Sequence, residues 1–167
     1  AQWEAERGCL LAAYYRRLRD PDPKVRNAAA TAFVKYELSI SKTFNDGTKM
    51  ARVLSAPSIL VPFALFEAHY MLNHGFLVRG QLLEAALNDR EFRKIPVVIA
   101  HGRCDFVCRP SAAHALAQAL PQDMVRLEMV SGAGHSDSEP GLTDALVRAS
   151  DDFRRDDGGT PHGFAKR

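Results

Sequence analysis

Two short β-branched runs, each followed by a loop and then a helical stretch, constrain this chain more than any other feature. Ile95-Pro96-Val97-Val98-Ile99-Ala100 leads into His101-Gly102-Arg103-Cys104-Asp105, after which a helix is expected from Ser111 to Leu120. Val125-Arg126-Leu127-Glu128-Met129-Val130 leads into Gly132-Ala133-Gly134-His135-Ser136, and a second helix is expected from about Gly141 to Phe153. Strand–helix–strand–helix with links this short is a βαβα unit, hence a parallel sheet with helices packed on it. The fold class read from the residues is therefore α/β.

The chemistry of that unit is concentrated in its two loops. In open α/β sheets the reacting groups gather at the carboxyl ends of the strands, where Asp105 and His135 both fall. A histidine acts as a general base near neutral pH only if its tautomer and direction are fixed. A carboxylate on one ring nitrogen does that, and it stabilises the imidazolium formed during reaction. Gly132 and Gly134 would let the loop turn sharply and bring the ring over the sheet edge. Taken singly, Asp105 could cap a turn and His135 could decorate a loop. Together, in this order and each after a buried strand, they resemble the end of the Ser…Asp…His triad of an α/β-hydrolase. The nucleophile is what the sequence lacks. No Gly-x-Ser-x-Gly occurs in the 167 residues, and Ser136 and Ser138 do not sit on the strand-to-helix elbow that exposes a nucleophilic serine. The back half of a serine hydrolase is the resulting expectation, without nucleophile or complete oxyanion hole.

Ahead of the βαβα unit the chain reads as helical. Trp3, Leu10, Leu11, Tyr14, Tyr15 and Leu18 recur at helical spacing, and Asp20-Pro21-Asp22-Pro23 breaks the pattern. Asp22 before Pro23 is an N-cap and first-turn pair for a helix from about Lys24 to Lys42. Asn45-Asp46-Gly47 reads as a turn. A further helix is expected from near Pro62 to Asn73-His74-Gly75, and a shorter one from Gln81 to about Asn88. Residues 1–93 are thus expected to form a helical domain, 94–153 part of an α/β core, and 154–167 a poorly ordered tail.

Composition excludes more than it suggests. A hydrophobic share of 46% suits one globular core, and a net charge of +2 supplies no field for nucleic acid. The basic run Arg16, Arg17, Arg19, Lys24, Arg26 is interrupted by Asp20 and Asp22 and reads as a solvated helix end. The apolar stretch Ile59 to Leu65 is broken by Pro62 and too short to span a bilayer. The first residues lack the order of a secretion signal. Cys9, Cys104 and Cys108 are an odd number in no metal-like array, which favours a reducing, cytoplasmic location. Cys104 and Cys108 lie close enough for a local disulfide, with two free thiols the plainer reading. His69 and His74, five residues apart, do not make a zinc pair.

At this point the motifs resemble one family. Gly102-Arg103-x-Asp105-x-x-Cys108-x-Pro110, Gly132-Ala133-Gly134-His135-Ser136-x-x-Glu139-Pro140-Gly141 and Leu146-Val147-x-Ala149 are similar to the C-terminal third of the proline iminopeptidases (serine peptidase family S33). Tyr14-Tyr15-Arg16-Arg17-Leu18, Tyr36-Glu37, Phe66-Glu67-x-His69-Tyr70 and Asn73-x-Gly75-Phe76 are similar to that family's helical cap domain. The resemblance covers roughly residues 10 to 153. It implies an α/β-hydrolase that removes N-terminal proline from peptides through an acyl-enzyme, with no metal or organic cofactor. It places Asp105 and His135 in the triad. It assigns Glu37 and Glu67 to the substrate's charged imino group, and Cys108 to the proline pocket. Cys104 and Tyr36 depart from the pattern, where the family often has an aromatic residue and a tryptophan, and the departure bears on pocket shape.

The residues around the two glutamates bear on that role. Glu37 follows Phe33 by one turn and Glu67 has Phe63, Tyr70 and Met71 at helical spacing. A carboxylate beside apolar side chains costs free energy unless paired. An internal salt bridge or a surface position is the competing explanation. Two other functions stay open: a different α/β-hydrolase, such as an esterase, and a non-catalytic interaction module. The expected partners are a peptide with N-terminal proline and either an N-terminal half of the hydrolase or a second copy, since half a sheet exposes strand edges and apolar surface.

Overall fold

The computed structural model describes residue 6, residues 8–44 and residues 46–154. Trp3, Asn45 and the tail from residue 155 onward, on which three of the expectations above fall, lie outside the described residues. The chain divides into two compact units. One contains the described residues up to Ser39 together with Phe44–Arg79, and the other contains Ile40–Thr43 and the residues from Gly80 onward.

The first unit is helical. Its elements are α1 (Leu10–Leu18), most of α2 (Pro23–Ser41), α3 (Gly47–Leu54) and α4 (Pro57–Leu72). Asp22 caps α2 as expected, its Oδ1 accepting the Lys24 N–H at 2.9 Å. The core is built from small residues that let helices approach closely. Ala29, Ala30, Phe33 and Val34 of α2 pack with Leu18 of α1 and with Leu60, Ala64 and Ala68 of α4. The α4 residues recur every fourth position, so one stripe of a helix that is apolar all round faces the core. Its other sides leave Ile59, Phe63 and Phe66 at least half exposed. Arg16 and Arg17 both pair with Glu6, and Arg26 donates to the backbone oxygens of Asp20 and Pro21. Arg16, Arg17 and Arg26 of the basic run are thus engaged in local structure.

Two boundaries differ from the sequence expectation. Helix α4 begins at Pro57, so Pro57 takes the first-turn position and Pro62 lies within the helix. A proline that early removes an amide from the second turn, and packing of Leu60 and Ala64 outweighs that loss. The Asp46-Gly47 part of the expected turn starts α3, with the Asp46 side chain accepting the Thr48 and Lys49 N–H groups at 2.9 and 3.3 Å. At the end of α4 the chain turns through His74, Gly75 and Phe76, with φ values of 52°, 64° and 61°. Glycine takes that region freely, whereas the two flanking side chains do so at a cost. Phe76 recovers part of it by ring contacts at 5.4 Å to His69 and 5.3 Å to Tyr70.

The second unit contains α5 (Gln81–Asn88), β1 (Val97–Gly102), α6 (Pro110–Ala119), β2 (Val125–Val130) and α7 (Pro140–Arg154). The strands pair in parallel, with Val97 opposite Val125 and Gly102 opposite Val130. Helices α6 and α7 each pack on both strands, completing the βαβα unit. Ala86 of α5 is buried with Ala119 and Leu120, and Arg93 ties these ends by donating to the Ala86 and Ala119 carbonyls at 3.0 and 2.7 Å. This chain is therefore a mixed helix-and-strand protein with a small parallel sheet, compatible with part of an α/β-hydrolase. Among the described residues no single helix is long and apolar enough to cross a membrane.

Leu60 is 2% exposed at the centre of the helical core. Leu60→Ala is expected to lower unfolding free energy by about 3 kcal/mol in urea titrations followed by far-UV circular dichroism. Leu10→Ala, at a surface position, is expected to change it by less than about 0.5 kcal/mol.

Candidate active site

The carboxyl ends of β1 and β2 are locked together by backbone contacts. Arg103 N–H donates to the Val130 carbonyl at 3.0 Å and Cys104 N–H to the Ala133 carbonyl at 2.9 Å. A methyl group on Gly102 would lie 2.0 Å from the Gly134 oxygen and 2.5 Å from the Ala133 oxygen. Only glycine permits that approach. Gly132 has φ 72° and supplies the sharp turn expected of it. Gly134 does something else: a Cβ there would stand 3.1 Å from the Ser41 oxygen and 3.3 Å from the Thr43 nitrogen. The loop therefore lies flat against the C-terminal end of α2, where the Ser41 carbonyl accepts the N–H groups of both His135 and Ser136 at 2.9 Å. Such a carbonyl has no partner within its own helix, so the loop satisfies it.

These constraints bring Asp105 and His135 together. His135 Nδ1 lies 3.0 Å from Asp105 Oδ2. Asp105 is only 7% exposed, and its other oxygen accepts the N–H groups of Val107 and Cys108, each at 2.8 Å. Burial alone would raise the Asp105 pKa. The Cys108 amide, His135 and the Val107 amide outweigh it and hold the carboxyl below its ordinary 3.8. An ionised carboxylate only accepts, so Nδ1 of His135 carries the proton and Nε2 keeps its lone pair. The result is a histidine in the tautomer a general base requires, with 40% of its side chain exposed.

A second histidine touches the same carboxylate. His101 Nε2 lies 3.0 Å from the Cys108 carbonyl and 3.4 Å from Asp105 Oδ2. Both neighbours are acceptors, so this nitrogen carries a proton and braces the turn that holds Asp105. His101 was assigned no role of its own from the sequence. Its position next to the glycine at the end of β1 was the available signal.

The remaining expected residues are divided between the two units. Cys108 is adjacent to Asp105, and partial enclosure of its sulfur and the Asp105 charge raise its pKa above 9.0. It is a neutral thiol at physiological pH, suited to lining a pocket and unsuited to attack. Cys9, Cys104 and Cys108 are all free. Ser136 and Ser138 bond to each other at 2.9 Å, and Ser138 accepts from Lys42 at 2.6 Å; neither hydroxyl serves the His135 ring. Glu37 and Glu67 belong to the helical unit, on α2 and α4, and both are half-buried, with one Glu67 carboxylate oxygen fully shielded.

Sequence reasoning gave no role to Glu139, which the structure buries to 7% exposure. Its Oε2 accepts the Gly134 N–H at 2.8 Å and its Oε1 the Thr43 N–H at 2.5 Å. Burial opposes ionisation here as well; the bonds from Gly134 and Thr43 and the charge of Lys42 prevail and lower the pKa from 4.5. No local pattern links residue 43 to residue 139.

What the geometry defines is a class: a βαβα unit presenting an oriented histidine and its buried carboxylate partner at the carboxyl edge of the sheet. Known proteins narrow that class. No protein-family model matches the chain. It is 38% identical over 149 residues to a probable proline iminopeptidase of Leptolyngbya boryana, covering 89% of this chain and 44% of that protein. A proline iminopeptidase of Xylella fastidiosa is 40% identical over 149 residues, covering 89% of this chain and 46% of the relative. One from Arabidopsis thaliana is 33% identical over 153 residues, with 90% and 39% covered. Across nearly nine-tenths of its length this chain is homologous to the proline iminopeptidases, and it spans less than half the length of these relatives.

The lowered pKa of Asp105 has a measurable consequence. Its carboxylate stabilises the fold at pH values above the unfolded pKa, and that contribution is lost as pH falls through the folded one. The wild-type urea midpoint is therefore expected to exceed that of Asp105→Asn at neutral pH, the gap closing as pH falls below the ordinary carboxylate value of 3.8. A gap independent of pH would contradict the assignment. Gly102→Ala is expected to cost about 3 kcal/mol or more, because both obstructing atoms are backbone.

Proposed function

We propose that this chain is the C-terminal, acid- and base-bearing portion of a proline iminopeptidase, a serine peptidase of the α/β-hydrolase type that releases N-terminal proline from peptides. The observation that carries the reading is the 3.0 Å bond between His135 Nδ1 and Asp105 Oδ2, on a chain homologous to proteins of that name. In the reaction, a serine outside these residues would lose its proton to His135 Nε2 as its oxygen attacks the carbonyl carbon of the proline residue. Asp105 would stabilise the imidazolium. Collapse of the tetrahedral intermediate would return that proton to the departing amine and leave a prolyl ester, which water cleaves by the same steps. No metal or organic cofactor enters this chemistry.

The helical unit would act as a cap, with Glu37 and Glu67 holding the protonated imino group of the substrate and Cys108 forming part of the proline pocket. Their carboxylates on helices rich in aromatic side chains suit a secondary ammonium ion, which an aminopeptidase must recognise. Three free thiols favour a cytoplasmic setting. The partner would be the nucleophile-bearing portion of the hydrolase, or a second copy when that is missing. Parallel strands are ordinarily buried on both faces, whereas every residue of β1 and β2 except Gly102 is only half-buried. Ile95 and Val147 are also more than half exposed. On its own the chain is expected not to turn over.

The test joins the chain to the nucleophile-bearing portion of a proline iminopeptidase and compares a proline arylamide, an alanine arylamide and a simple ester. Proline arylamide should be preferred, and His135→Ala should reduce kcat/KM at least about a thousandfold. Glu67→Gln should raise KM for the proline substrate about tenfold, the scale of a lost charge-assisted bond. Preference for the ester would replace this reading with an esterase, and absence of any turnover would leave a binding module.

A further inference from the structure

We infer that Glu139 is a positioning residue: its buried carboxylate clamps the His135 loop to residues 41–43 and thereby sets where the histidine stands relative to Asp105. Three donors converge on its two oxygens, the N–H groups of Gly134 and Thr43 and the Thr43 hydroxyl, the last at 3.1 and 3.2 Å. The clamped residue Gly134 immediately precedes His135. The two amides that follow it, of His135 and Ser136, reach the Ser41 carbonyl on the same strap. Glu139 also opens α7, its carbonyl accepting from Thr143 at 2.9 Å, so one residue joins the loop, the strap and the helix. Among the described residues the ring of His135 makes one polar contact, with Asp105. Its location is otherwise decided by its backbone, and that backbone is held through Gly134 and Ser41.

The chemistry of the clamp demands two acceptors. Glutamine has the same shape but one oxygen and one NH2 group. In Glu139→Gln one amide would face another N–H inside a buried site, a repulsive and unsatisfied arrangement. Glu139→Asp retains two acceptors on a shorter stem and should recover part of the function. Amide substitution at a solvent-facing glutamate would have almost no effect.

The catalytic consequence rests on the peptidase reading above, so the experiment has two arms. In the first, hydrogen exchange is measured on the chain itself. Glu139→Gln should accelerate exchange at Thr43, Gly134, His135 and Ser136 by about tenfold or more while the amides of β1 and β2 keep their rates, and Glu139→Asp should fall between. The downfield Nδ1 proton resonance of His135 should broaden or vanish in the glutamine variant. Unchanged exchange in the loop, or equal acceleration throughout the unit, would overturn the clamp. In the second arm, the complete hydrolase carrying Glu139→Gln should lose about tenfold in kcat on proline arylamide with KM within about twofold. A KM effect without a kcat effect would also overturn it. Wild-type protein without peptidase activity would count against the peptidase reading alone, leaving exchange and the His135 resonance to decide the clamp.

Discussion

A carboxylate can be withdrawn from water only where its lone pairs are taken up, and the second unit is organised around meeting that condition at Asp105. One oxygen is filled by the amides of its own turn, and the other faces His135 with His101 alongside. The turn depends on β1 ending in glycine, because only there can the chain after β2 pass close enough to deliver the histidine. Backbone proximity, the burial of the acid and the tautomer of the base are a single arrangement seen at three scales.

The same physics recurs one layer out. Glu139 is a second buried carboxylate, and it too is satisfied chiefly by backbone N–H groups. The two acids divide the work by position: one holds the imidazole ring, the other the peptide chain that carries it. Between them the side chain of His135 is restrained from both ends, while part of its ring stays exposed. The neutral thiol of Cys108 beside this arrangement reflects partial withdrawal of its sulfur from water and, after that, the Asp105 charge, which disfavours a second anion.

Much of this was legible beforehand. The two strand runs and the helices that follow them lie within two residues of their expected limits, because β-branched runs and short links leave few alternatives. Asp22 was recognisable as a cap from its place before a proline. Legibility failed where two local rules competed. Asp46-Gly47 satisfies the chemistry of a turn and of a helix start equally, and the helix took it. Pro57 and Pro62 could each open α4, and burial of Leu60 between them favoured the earlier one. His101 and Glu139 escaped because their partners, Cys108 and Thr43, are defined by distance in space.

By itself, then, the sequence determined the kind of elements, their order, and the pairing of an acid loop with a histidine loop, since these follow from periodicity and from residues that few backbones tolerate. Tertiary structure alone decided which nitrogen of His135 is protonated, why Gly102 and Gly134 have no side chain, and which acid holds the loop. Those outcomes depend on donors and acceptors that meet only when segments as distant as residues 41–43 and 133–139 share a site. Hydrogen bonds and close contacts act over a few ångströms of space, and separation along the chain carries almost no information about them.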